Sequence, residues 1–235
     1  YTIGSGGNYA TFSAAVTALT TSGVSGAVTF NVLSGTYSEQ ISIPAITGAS
    51  STNTITFDGG SGNASTRILT YSATSTYSPT VALNGADYIR FKNLTIRSTN
   101  TSYGQAILFT NSADYNEISD CVIEVTSSST SASIIPILAS STTSYSSYGD
   151  HGNFNVIKDN AISGGYYGIR WNGSSSSDYT TAQGNQFIGN TLTEWYYYGM
   201  YLYYPGGALV VRGNTAVQRS TGSFTTSGGY AYYVY

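Results

Sequence analysis

From the middle of the chain onward, one pattern of apolar and polar positions keeps returning. It runs apolar residue, one position, then Asn, Asp or Gly, two positions, apolar residue. It reads Phe91-Lys92-Asn93-Leu94-Thr95-Ile96, Ile118-Ser119-Asp120-Cys121-Val122-Ile123, Ile157-Lys158-Asp159-Asn160-Ala161-Ile162 and Phe187-Ile188-Gly189-Asn190-Thr191-Leu192. A weaker fifth copy is Val211-Arg212-Gly213-Asn214-Thr215-Ala216. The starts lie 27, 39, 30 and 24 residues apart. A period of about 20–50 residues with variable insertions marks a solenoid whose loops absorb the differences in length. Each copy predicts two short alternating strands meeting at a bend, where Asn, Asp or Gly accepts the left-handed conformation. Asn160, Asn190 and Asn214 take the next position in three successive copies. Amides stacked about 4.8 Å apart along the axis would satisfy backbone groups at that bend.

A third apolar stretch lies between copies: Val81-Ala82-Leu83, Ala106–Phe109, Ile134–Leu138, Gly168-Ile169-Arg170-Trp171, Met200–Tyr203 and Tyr230–Tyr235. The chain is therefore predicted to be all-β, a right-handed parallel β-helix with three strands per coil. The Ser-rich inserts Thr126–Ser133, Ser140–Gly152 and Asn172–Gln183 become outer loops. Only the N-terminal segment reads as a helix: Tyr9–Leu19 carries apolar residues at helical spacing after a Gly-rich turn. That gives one domain over 1–235, with a cap region at 1–25 and coils over 26–235. Tyr230–Tyr235 has no charge, Pro or trailing helix, so it predicts an open strand edge that attracts a partner.

Composition narrows the functional classes. With 40% hydrophobic and 14% aromatic residues, the 235-residue chain can bury a sizeable core. Only 8% of residues are charged, against about 25% in an average soluble domain. A net charge of −3 leaves no basic field for nucleic acid. Nothing approaches about 18 consecutive apolar residues, so no membrane-spanning helix is expected. A start at Tyr1, without a charged-then-apolar leader, is what a mature secreted chain presents, and the expected location is secreted or cell surface. The lone Cys121 sits in a strand-like apolar run and reads as a packed thiol.

The opening Thr2-Ile3-Gly4-Ser5-Gly6-Gly7-Asn8-Tyr9-Ala10-Thr11-Phe12, with Val28–Val32 and Gly35-Thr36-Tyr37-Ser38-Glu39, is similar to the start of pectin methylesterases. Asp87–Ile96 resembles the strand–Asn–strand unit of pectate lyases. The chain thus resembles the pectin-lyase-like superfamily of secreted parallel β-helices along its whole length. The resemblance implies the fold rather than an activity. The Asp-Phe-Ile-Phe-Gly signature of the methylesterases is missing, and Gln105 has only a faint likeness to their glutamine segment. The Asn-Thr-Asp, paired Asp and Gly-His-Gly of polygalacturonases are missing too. The strand faces where pectate lyases hold calcium are nearly free of acids.

Charges are weighed through the repeat register. It stacks Arg90 over Glu117 and Arg97 over Glu124, read as wall ion pairs worth about 0–1 kcal/mol each. It also stacks Asp87 over Asp114 and Asp120 against Asp159. Adjacent carboxylates suit a raised pKa, calcium or acid/base hydrolysis, while Asp in turns is equally common for backbone reasons. His151, beside Asp150, is either a general acid or base or an ordinary exposed loop residue. Asn63-Ala64-Ser65, Asn93-Leu94-Thr95, Asn100-Thr101-Ser102 and Asn172-Gly173-Ser174 match the glycosylation sequon. No catalytic set, metal site or cofactor motif is assigned.

The feature furthest from chance is aromatic: Trp195–Tyr204 and Tyr230–Tyr235 fall on successive coils. If Met200 and Leu202 point inward, strand alternation turns Tyr201 and Tyr203 outward, with Arg170 and Trp171 one coil below. Arg170, Trp171, Tyr201, Tyr203, Tyr233 and Tyr235 are the candidate binding residues for glycan or a partner. Two functions from different classes follow. One is an extracellular, non-catalytic structural or adhesive protein that self-associates, up to filaments, or binds a surface protein or polysaccharide. The other is a lyase or hydrolase of an acidic polysaccharide.

Overall fold

Each repeat folds into two strands that meet at its Asn, Asp or Gly. Asn93, Asp120 and Asp159 have φ of 54–55° and Gly189 and Gly213 have φ of 65°, the left-handed bend that these residue types tolerate. In a computed structural model, which describes residues 1–75, 78–149, 151–173, 184–220 and 228–235, the bends join three parallel sheets of eight, seven and seven strands. The first sheet runs through Val28–Val32, Ile55–Asp58, Ile89–Lys92, Glu117–Ser119, Val156–Lys158, Gln186–Ile188 and Val210–Arg212. The second holds Gly35–Ser38, Arg67–Tyr71, Thr95–Ser98, Val122–Glu124, Ala161–Ser163, Thr191–Trp195 and Thr215–Gln218. The third holds Ile41–Pro44, Pro79–Asn84, Gly104–Thr110, Ile134–Ala139, Tyr167–Asn172, Tyr198–Tyr203 and Tyr230–Val234. One strand from each makes a coil, giving seven coils. Two of these precede the first recognisable repeat.

The core is a set of columns parallel to the axis. Phe30, Phe57 and Phe91 stack on successive first-sheet strands at 5.1 and 4.9 Å, and Ile118, Ile157 and Phe187 continue the line. Polar columns close the corners. The Cys121 amide donates to Asn160 Oδ1 at 3.0 Å, the Asn160 amide to Asn190 Oδ1 at 3.1 Å, and the Asn190 amide to Asn214 Oδ1 at 2.9 Å. Each asparagine also donates its own amide to a carbonyl of the coil below. A second ladder, not anticipated, runs through Asn116, Asn155 and Asn185 at the entry to the first sheet. Its signal was in the sequence: each asparagine stands two positions before Ile118, Ile157 and Phe187. Cys121 is buried in the first ladder's column, and burial pushes its thiol up to about 12.

The helix spans Phe12–Ser22, not Tyr9–Leu19. Thr11 sets the start, because its Oγ1 accepts from the Ala14 amide. Glu39 accepts from the Phe12 and Ser13 amides at 3.0 and 2.9 Å, placing an anion at the helix N-terminus. Phe12, Ala15, Val16 and Leu19 close the core at that end. Thr2–Ile3 forms an unforeseen eighth strand on the edge of the first sheet, pairing with Asn31 and Val32. The Tyr37 hydroxyl donates to the carbonyls of Ile3 and Leu33. Among the described residues no helix is long and apolar enough to cross a membrane.

Candidate contact surface

Ionic side chains and tyrosines occupy different walls. On the first sheet Glu117 forms ion pairs with Arg90 at 3.8 Å and with Lys158 at 3.2 Å, and on the second Arg97 pairs with Glu124. These side chains are 21–43% exposed, so each pair is worth about 0–1 kcal/mol. The third sheet contains no Asp or Glu in any of its seven strands, and its one cation is Arg170.

The outer face of this third sheet changes character along the axis. In the lower coils Ala82, Leu108, Ile135 and Leu138 form a small apolar cluster on the outside of the sheet. The column Leu108–Leu138 continues through Arg170, Tyr201 and Tyr233. Tyr201 stacks on Tyr233 at 4.8 Å, Tyr203 on Tyr235 at 5.1 Å, and Tyr167 on Tyr198 at 5.2 Å, all within 9° of parallel. With Tyr230 stacked on Tyr198, and Tyr145, Tyr148, Tyr166, Tyr196, Tyr197 and Tyr204 joining at the flanks, thirteen tyrosines among the described residues form one connected array. Its neighbouring centroids are 4.5–6.5 Å apart. Met200 and Leu202 do point into the core, and Tyr201 and Tyr203 outward.

Two expected surface residues are not on the surface. Trp171 is fully buried, between Phe109 at 5.1 Å and Phe187 at 5.2 Å, because strand alternation turns it inward when Arg170 turns outward. Arg170 is outward but only 4% exposed. The loop carrying Tyr145 folds over it, held by the Asn172 amide, which donates to the carbonyls of Tyr145 and Ser147. The Arg170 guanidinium sits 4.6 Å from the ring centroids of Tyr167 and Tyr201 and 5.3 Å from Tyr145, and its Nε donates to Asn172. Tyr201, Tyr203 and Tyr233 are half-buried and Tyr235 is exposed. Sequence reasoning missed Tyr166-Tyr167, although that pair stands at the start of its strand as Tyr197-Tyr198 does one coil later. Tyr145 and Tyr148 come from a loop, where register says nothing.

The remaining candidates separate. Asp87 accepts from the Asp114 amide at 2.8 Å and Asp114 from the Asn153 amide at 2.7 Å, so this column is a turn ladder. Burial pushes both carboxyls above the usual range, and Asp87 adds to the effect at Asp114. A carboxyl whose folded pKa is raised contributes stability below its unfolded pKa and loses it as pH rises. Asp114→Asn is therefore expected to raise the melting temperature at pH 7 and to leave it unchanged below about pH 3.5, measured by thermal melts across pH. Asp120 and Asp159 occupy the left-handed bend between Asn93 and Gly189, and among the described residues no third acid, His or Cys joins them in a metal-ligating group. His151 is buried against the edge of Trp171 rather than exposed, and Asp150 lies outside the described residues. Gln105 is buried, its amide donating to the Thr143 carbonyl. All four sequon asparagines donate their side-chain amides within the fold, Asn63 to Ser61, Asn93 to Asp58, Asn100 to Ala73 and Asn172 to Tyr145 and Ser147, and Ser174 lies outside the described residues.

The three-sided parallel coil, closed at its N-terminal end by a helix, has the fold of the pectin-lyase-like β-helices. A pectin methylesterase from Aspergillus niger superposes on it with a TM-score of 0.53 at 18% identity, covering 94% of this chain and 60% of that one. The rice weevil pectin methylesterase gives 0.54 at 16%, covering 82% and 64%. This chain thus spans less than two thirds of either enzyme. A family model described as periplasmic copper-binding protein (NosD) matches residues 125–231. No curated protein sequence matches the chain.

Proposed function

We infer that the chain is a non-catalytic structural or adhesive module working outside the cytoplasm, with the tyrosine face of its third sheet as the contact surface. One observation carries this reading: the aromatic rings gather on the wall that has no carboxylate. Stacked rings spend their faces on one another and turn hydroxyl-bearing edges outward. That suits a protein surface, where Tyr is enriched, better than sugar stacking, which needs open ring faces. We take the partner to be a second copy of the chain. The N-terminal end is occupied by the chain's own helix and first strand, so contact runs face to face and closes as a dimer rather than extending head to tail. In the last coil Tyr230, 46% exposed and in register with Tyr198, extends the same face, whereas Tyr232 and Val234 lie in register with the core-facing Met200 and Leu202. The periplasmic description of the NosD model is in keeping with such a location.

The acids argue against the enzyme alternative. Six of the described carboxylates are engaged, by backbone amides, side-chain amides or cations, on separate turns and walls. Copper, named in the NosD description, does not fit these residues either. The chain has one Cys, one Met and one His. Cys121, Met200 and His151 are all buried, and the Cys121 thiol is held protonated.

Sedimentation over a concentration series tests the reading. The native chain is expected to associate, and Tyr201→Lys with Tyr233→Lys to weaken association several-fold by setting like charges across the contact. A monomer at every concentration, unchanged by the substitutions, would refute self-association.

A further inference from the structure

Thirteen phenols in mutual contact are a chemical feature whether or not the face binds a partner. Phenols and indoles are the side chains most easily oxidised by one electron, and both indoles here, Trp171 and Trp195, are buried. Within the array, neighbouring centroids lie 4.5–6.5 Å apart, close enough for an electron vacancy to pass from ring to ring. The interior rings keep their protons: burial, with neighbouring tyrosines adding to it, pushes Tyr198 up to about 12, and burial pushes Tyr167 higher still. The rim rings Tyr148, Tyr230 and Tyr235 are 46, 46 and 59% exposed, so a phenol there can give its proton to water.

We propose that this array is an oxidative modification site at which tyrosines of neighbouring coils become joined by dityrosine bonds. A one-electron oxidant of the peroxidase or photogenerated metal-complex class takes one electron from each of two phenols, and each phenol releases one proton to water. The two phenoxyl radicals pair their electrons in a new carbon–carbon bond between positions ortho to oxygen. The two ortho hydrogens then move to the oxygens as aromaticity returns. Two equivalents of oxidant are reduced, two protons are released, and the product has two hydrogens fewer than the two tyrosines. The favoured pairs are Tyr201 with Tyr233 and Tyr203 with Tyr235, each parallel and in register between the last two coils. The bond would fasten those coils together. Tyr103 is an internal comparison: it is 42% exposed but touches none of the array rings.

The test is photo-oxidation of the dilute purified chain with tris(bipyridyl)ruthenium and persulfate, followed by dityrosine fluorescence and mass-spectrometric mapping of linked peptides. Monomers lacking two hydrogens are expected, with links between the 201–203 and 230–235 segments. Replacing Tyr201, Tyr203, Tyr233 and Tyr235 by Phe, which keeps the stacked rings, should lower the signal several-fold at an unchanged melting temperature. Tyr103→Phe should leave it as it was. Absence of dityrosine, a signal that survives the fourfold Phe variant, or links at Tyr103 in equal yield would each overturn the proposal.

Discussion

Trp171→Ala is expected to destabilise the chain by about 3–5 kcal/mol, the cost of emptying a large aromatic site in a packed core. The magnitude follows from position. The indole is fully buried, with Phe109 on one side, Phe187 on the other and His151 at its edge. Phe109 and Phe187 belong to strands of other coils, whose backbones are fixed by ladder bonds, so they cannot move in to fill the cavity. The small Ala139 lies between Phe109 and Trp171 in the column, so the indole reaches two coils down and the loss falls on the middle of the stack. Denaturant unfolding is the measurement, with the midpoint shifted and the slope unchanged. A cost below about 1 kcal/mol, typical of surface sites, would show that Trp171 is not the core residue described here.

Asn160→Asp should cost more than Asn160→Ala at neutral pH, and the order should narrow or reverse in acid. Asn160 is 2% exposed. Its Oδ1 accepts from the Cys121 amide, and its Nδ2 donates to the Ile118 carbonyl and to Asn190 Oδ1. Alanine leaves a buried donor and a buried acceptor without partners, roughly 2–6 kcal/mol for the two. Aspartate keeps the acceptor but sets a charged oxygen against two other acceptors, and a buried unpaired charge is costlier than a missing bond. Such a carboxyl has a folded pKa raised above its unfolded value of about 3.9. The folded state then holds the extra proton, so stability is retained below that unfolded pKa and lost as pH rises above it. Denaturation midpoints of the two variants at pH 3.5 and pH 7 decide the matter. A pH-independent difference would mean that the ladder is open to water.

The resemblance of the first forty residues to pectin methylesterases has a structural explanation. Thr11 caps the helix, Glu39 supplies the anion at its N-terminus, and the Tyr37 hydroxyl ties the first strand to the following turn. These residues close the end of a β-helix, whatever chemistry the coils above support. That is why the likeness carried fold and no activity.

The sequence by itself determined the coil. Its left-handed bends, the column through Asn160, Asn190 and Asn214, the six third-sheet stretches and the ion pairs Arg90–Glu117 and Arg97–Glu124 were all legible. The reason is that parallel coils in register turn a one-dimensional spacing into a contact. Of the first two coils the repeat pattern showed only Val81-Ala82-Leu83, because Leu33-Ser34 and Asp58-Gly59-Gly60, with the insert after it, do not carry the motif at their bends. What only the tertiary structure decided depends on loops and on burial. Arg170 reads as exposed from strand alternation alone, yet the loop carrying Tyr145 covers it, and nothing in a Ser-rich insert says over which wall it folds. Trp171 and His151 belong together only because the chain brings a loop residue against the core. The tyrosine array joins coil residues, which register predicts, to Tyr145 and Tyr148, which it does not. Register fixes neighbours along the axis, while loops choose theirs by packing.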